Sequence, residues 1–361
     1  AAAKARGIEI LLDVPINHTS LSHPWFMASV DPESAERGYY LWSDEDPGFD
    51  DWHRYGDDYY YGHFWSGMPD LNFESEAVRG ALTSAFEGWM ARGVKAFRID
   101  AARHLVEEGE VIAEHPGTYC TLRGLRQSLA KSAPDVLLVG EVWSSVPVIA
   151  SYLDDESDTG PGADLRPLAF DFPVAEQILS SIKRGSPVPF LDAHRQRERL
   201  YPDPAMGGPF LSNHDQDRVG SVLGSDLPSL KLAAGLLFST PGPVAIYYGE
   251  EIGMTGSKGP SDSTDNPRRT PMQWADTAPG YGFTTASPWY AVNDDAPLIN
   301  VAEQEDDPAA LLNTYRKLAE LRGEYSALKT GSITTLTATD SAIYAVARQR
   351  GDETFLIIGN L

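Results

Sequence analysis

The sequence predicts an α/β fold of the (β/α) barrel type. Three observations carry this. Short apolar runs alternate with amphipathic stretches of helical period along most of the chain. Four of the apolar runs end in polar, chemically capable residues, which is where a (β/α) barrel assembles its active site. The first long helical stretch is closed by a glycine, Gly93, as a C-cap.

Taken in order, six buried strands are expected at residues 8–15, 94–100, 136–142, 168–172, 210–215 and 244–248. Helical patterns fall at residues 75–92, 122–132, 174–183 and 227–237. Residues 19–70 break the alternation. They are rich in Trp, Tyr, Asp, His and Gly, are too long for an ordinary loop, and read as an inserted subdomain. Residues 253–300 form a second long irregular stretch. From about Leu328 short strands follow, with Arg350-Gly351-Asp352-Glu353 as a turn between two of them. The expected domains are residues 1–18 with 71–325 as the catalytic barrel, 19–70 as the insertion and 326–361 as a partial β domain.

Composition excludes several function classes. The 361 residues carry 29 Lys and Arg against 52 Asp and Glu, a net charge of −23. So acidic a chain is a poor partner for nucleic acid or an anionic membrane. It suits a neutral substrate or a demand for solubility. One cysteine, Cys120, rules out an intrachain disulfide. The sequence holds no run of about 18 apolar residues, and no glycine-rich phosphate loop.

The strand ends carry the chemistry. The first ends Asp13-Val14-Pro15-Ile16-Asn17-His18, the second Arg98-Ile99-Asp100 with His104 on the next turn, the third Gly140-Glu141-Val142-Trp143, and the fifth Asn213-His214-Asp215. Alternation along a strand puts Arg98 and Asp100 on one face, so the arginine can hold the carboxylate ionised. Alone, such a pair reads as a structural ion pair. Four such ends together favour a site in which Asp100, Glu141 and Asp215 converge. Two carboxylates, one nucleophile and one acid/base, are what a retaining glycosidase needs. Arg98 would keep Asp100 charged, while carboxylate neighbours and burial near Trp143 would raise Glu141. His18 and His214 could donate hydrogen bonds to sugar hydroxyls. The same residue types could ligate a metal, but no two of them have a helical ligand spacing.

The segments DVPINH (Asp13 to His18), FRIDAARH (Phe97 to His104), GEVW (Gly140 to Trp143) and FLSNHD (Phe210 to Asp215) resemble, in order, the four signature regions of the α-amylase family of glycoside hydrolases. The resemblance implies Asp100 as nucleophile, Glu141 as general acid/base and Asp215 as the third acid that grips the distorted sugar. It implies that His18, Arg98 and His214 line the subsite of the reacting sugar, with Arg103, His104 and Trp143 as further substrate-binding candidates. Met68-Pro69-Asp70-Leu71-Asn72 and Arg269-Thr270-Pro271-Met272-Gln273-Trp274 resemble segments of the group intermediate between oligo-1,6-glucosidases and neopullulanases. The insertion then corresponds to the family's domain B. Asn17 and the His104 carbonyl match calcium-binding positions of typical members, which makes a structural calcium a candidate. No cofactor is needed for the chemistry itself.

The first signature region lies on the third strand of the family's barrel, and here it begins at residue 8. The expectation is a (β/α)8-type TIM barrel lacking its first two β/α units, with domain B and a partial C-terminal β domain. Six strands would leave open edges at 8–15 and 244–248, which a homodimer could cover. The expected partner is an α-glucan or maltooligosaccharide, cleaved at α-1,4 bonds. The alternatives are an α-glucosidase, oligo-1,6-glucosidase or transglycosylase on short α-glucosides and, from another class, a catalytically impaired carbohydrate-binding remnant.

Overall fold

The computed structural model describes residues 2–153, 168–259 and 265–361. They fall into two compact units, Ala1–Val142 with Ser151–Ala169, and Trp143–Ala150 with Phe170–Leu361.

The first unit is built on parallel strands. Strand β1 (Leu11–Val14) belongs to it. So does an antiparallel sheet of β2 (Trp42–Ser43), β3 (Trp52–Tyr55) and β4 (Asp58–Tyr61). Next come β5 (Ala96–Ile99), β6 (Leu137–Gly140) and the start of β7 (Leu168–Phe170). β5 pairs with β1 on one side and β6 on the other, and β6 pairs with β7, all in parallel. The register sets Asp13 beside Arg98 and Arg98 beside Val139. The ladder continues one rung past the strands. The Asp100 N–H donates to Val14 O at 3.3 Å and the Glu141 N–H to Ile99 O at 2.9 Å. Both acids therefore sit on the last rung of a parallel ladder. On its other edge β1 has no strand partner among the described residues, and Ile8, Ile10 and Leu11 are exposed.

Helix Glu76–Met90 covers β5 through Phe86, whose ring meets Phe97 edge-on at 4.7 Å. In the insertion, His23-Pro24 starts helix Pro24–Ser29, the His23 ring accepting the Trp25 N–H and Pro24 supplying a fixed φ at the first turn. The helix buries Phe26 completely among Tyr40, Trp42, Tyr55 and Tyr60. Two backbone bonds, Thr19 N–H to Pro69 O and Leu71 N–H to Asn17 O, close the insertion back onto the end of the first strand. The aromatic richness of residues 19–70 thus supplies a small core of its own.

The second unit packs helices Phe172–Arg184, Val188–Leu200, Leu227–Ser239 and Leu311–Glu324 around Val174, Ile178, Phe190, Leu237 and Tyr344. Its antiparallel meander comprises β9 (Ser332–Thr335), β10 (Ile343–Arg350) and β11 (Glu353–Asn360), after a two-residue β8 (Gly207–Gly208). Gly351 makes the expected turn with φ of 57°.

Two expected strands are not formed. Residues 210–215 pass from extended chain into a turn, and only Gly207–Gly208 just before them is a strand. Residues 244–248 make a single bond of the ladder kind, from Ala245 N–H to Pro209 O at 2.9 Å.

Candidate active site

In the first unit a single guanidinium organises the site. Arg98 is buried, its side chain 9% exposed. Its Nη1 contacts Asp13 Oδ1 at 2.7 Å and Asp100 Oδ1, and its Nη2 meets Glu141 Oε2 at 2.9 Å. Burial works against its charge, but Glu141, Asp13 and Asp100 outweigh that and raise its pKa above the ordinary arginine value. Charge-assisted bonds of this kind fix carboxylate orientation as well as charge. Glu141 Oε2 also accepts the Ala101 N–H at 3.0 Å. Ala101 is held at φ of +48°, an uncommon conformation for a residue with a Cβ.

Around Glu141 the guanidinium of Arg98 and the Ala101 N–H are two groups that stabilise a carboxylate. Asp13 was read only as part of a strand end. Its register opposite Arg98 makes it the cation's third partner.

His18 lies within reach of the Asp100 charge. Burial lowers its pKa, and Asp100 offsets part of that. Its Nδ1 pairs with Asn17 Oδ1 at 3.0 Å. Burial likewise lowers His104, whose Nδ1 bonds Ile112 O at 2.7 Å and whose ring stacks on His63 at 5.0 Å. Phe64 meets both His18 and His104 edge-on at 5.5 Å and is itself exposed. Nothing in the local pattern marked Phe64, which the insertion's hairpin carries to the histidines. Arg103 is bound to Glu114 by two nitrogens, so it braces the turn after Asp100.

The candidate calcium residues satisfy one another. Asn17 Nδ2 donates to His104 O. Among the described residues no group of three or more His, Cys, Asp or Glu is placed to hold a metal ion. Nearby, Asp70 Oδ1 and Glu107 Oε1 are buried without a hydrogen-bond partner. Burial pushes Asp70 up to about 8, against the His63 N–H that it accepts, and Glu107 up to about 9 with help from Asp70 and Asp51.

In the second unit Asp215 stands in a turn rather than on a strand. Its N–H donates to Asn213 Oδ1 at 2.9 Å, an Asx turn. Its Oδ2 meets His214 Nε2 at 3.1 Å and its Oδ1 meets Arg269 Nη2 at 2.6 Å. Trp143 lies flat on Phe172 at 4.8 Å and 13°, with 42% of its surface exposed. So the structure brings Asp13, His18, Arg98, Asp100 and Glu141 together in one unit, and His214, Asp215 and Arg269 together in the other.

Comparison with known proteins identifies a family. The family described as "Alpha amylase, catalytic domain" matches residues 1–331. Alpha-amylase 3 of Dictyoglomus thermophilum is 34% identical over 99% of this chain and 69% of its own length. The glucan 1,6-alpha-glucosidase of Streptococcus pneumoniae is 31% identical over 100% of this chain and 76% of its own. Among solved structures, an alpha-amylase from H. orenii superposes with a TM-score of 0.85 at 31% identity, covering 99% of this chain and 72% of that one.

Proposed function

The chain belongs to the α-amylase family of glycoside hydrolases and transglycosylases, and from that premise we propose that it cleaves α-1,4-glucosidic bonds in starch or maltooligosaccharides with retention of configuration. Asp100 attacks the anomeric carbon and forms a glycosyl-enzyme ester. Glu141 gives its proton to the departing oxygen and then takes one from the water that releases the sugar. Asp215 carries the family's third-acid role, hydrogen-bonding the distorted ring.

The observation that supports this most is the shared guanidinium. The Asp100 and Glu141 carboxylates share one guanidinium, on Nη1 and Nη2 of Arg98. That favours the short spacing of a retaining enzyme, roughly 5 Å, over the wider gap of an inverting one. Glu141 must gain a proton before it can act as an acid. Substrate entering beside Arg98 would loosen the Arg98–Glu141 contact and supply the desolvation that makes protonation favourable.

A second reading is an α-glucosidase, oligo-1,6-glucosidase or transglycosylase on short α-glucosides. The Arg269 to Trp274 segment and the glucan 1,6-alpha-glucosidase relative favour it. A reducing-sugar assay on soluble starch, run for the chain and for Asp100→Asn, tests the reaction class. Product analysis on starch and on a short nitrophenyl maltoside separates the two readings: internal cleavage of starch supports the first, exclusive attack on short substrates the second.

A further inference from the structure

The Arg268-Arg269-Thr270 stretch has no part in the chemistry described so far, yet it grips the third acid from two sides. Arg269 Nη2 holds Asp215 Oδ1 at 2.6 Å while its Nε donates to His214 O at 3.0 Å. One planar guanidinium thus fixes the carboxylate against its own backbone. Arg268 Nη1 donates to Asp215 O at 2.8 Å and its Nε to Asp217 Oδ1 at 2.8 Å. Partly exposed ion pairs ordinarily contribute little, and the Arg269 side chain is 38% exposed. What distinguishes this one is that the backbone carrying it is anchored.

The Tyr247 hydroxyl donates to Arg268 O at 3.0 Å and the Tyr248 hydroxyl to Thr270 O at 2.7 Å. Both rings lie against the buried Arg218 guanidinium, 4.4 and 4.6 Å from their centroids, and Arg218 Nη1 donates to Tyr248 O at 2.6 Å. Gly256 lets the turn come close: a Cβ there would lie 2.3 Å from Pro267 O.

We propose that Arg269 is a positioning residue for Asp215, and that Tyr248, backed by Arg218, sets Arg269 through the Arg268–Thr270 backbone. The proposal rests on the reading that Asp215 serves the glycoside chemistry. A third acid that binds the distorted sugar acts mainly in the transition state, so a misplaced Asp215 lowers kcat more than it raises KM.

The test is steady-state kinetics on a nitrophenyl α-maltoside for Arg269→Ala, Arg269→Lys, Tyr248→Phe, the Arg269→Ala/Tyr248→Phe double variant and Asp215→Asn, with thermal melts of each. Arg269→Ala should lower kcat about 10- to 100-fold with KM changed less than about threefold. Arg269→Lys, or guanidinium added to Arg269→Ala, should recover part of the loss. Tyr248→Phe removes one hydroxyl, should cost a few-fold in kcat, and should cost nothing further in the double variant. An inactive Asp215→Asn beside an Arg269→Ala within about twofold of wild type would overturn the proposal alone, as would full additivity in the double variant. Full activity in Asp215→Asn would instead overturn the role of Asp215 on which it rests.

Discussion

Asp100 and Asp215 meet the same requirement, an arginine on the carboxylate, by different means. Asp100 ends a parallel strand, and its cation, Arg98, sits two residues back on the same strand, buried and shared with Asp13 and Glu141. Asp215 sits in an Asx turn, and its cation comes from 54 positions further along the chain, on a turn held by tyrosine hydroxyls. The first arrangement is a consequence of sheet register and is nearly insensitive to side-chain choice elsewhere. The second depends on several side chains of an irregular segment. The difference predicts where substitutions at a distance are felt: around the loop-borne acid, not around the strand-borne pair.

Substitutions can break this contrast, and the largest effect belongs to the strand. Asp100→Asn removes the nucleophile without altering volume. Turnover of starch should fall by roughly 10⁴-fold or more, with an unchanged circular dichroism spectrum. Glu141→Gln comes next. It should cost roughly 10²- to 10³-fold on starch and far less on an activated aryl glycoside, whose leaving group needs little protonation. Equal losses on both substrates would remove Glu141 from the acid role.

Arg98→Leu tests whether the strand-borne cluster depends on its cation. It leaves Asp13, Asp100 and Glu141 side by side without a counter-charge, and should destabilise the fold by about 3–5 kcal/mol in denaturant melts. Stability unchanged within error would mean that the three carboxylates are solvated well enough to do without it.

The last expectation concerns stability against pH. Asp70 and Glu107 have folded-state pKa values of about 8 and about 9, raised from 3.8 and 4.5. Below about pH 4 both states hold these protons. As pH rises the unfolded chain loses them first, so stability falls between about pH 4 and pH 8 to 9. Asp70→Asn should flatten this slope in melting temperatures measured across that range. An unaltered slope would show that Asp70 is ionised in the fold.

The strand-borne half of the site was legible because its determinants are local or periodic. Alternation placed Arg98 and Asp100 on one face, and the order of the four motifs named the acids. The contacts of Glu141 were not legible. Those with Arg98 and the Ala101 N–H follow from the β5–β6 register, which leaves no mark in composition. The apolar runs at 210–215 and 244–248 read as strands, and their backbone instead makes a single bond of the ladder kind. The Asn17–His104 contact was hidden for another reason: the same residue types could ligate a cation or bond each other, and only side-chain orientation decides. Phe64 and Arg269 reach their partners through the insertion and the long loop, whose paths no period encodes.

Asp100 is the residue proposed to take the sugar, and trapping tests that directly. The chain is incubated with a 5-fluoro-α-glucosyl fluoride, which forms the glycosyl-enzyme ester quickly and releases it slowly, then digested and mapped by mass spectrometry. The account predicts one sugar per chain, on the peptide bearing Asp100, and no label in Asp100→Asn. A label on any other residue, or wild-type turnover with inverted product and no label, would contradict it.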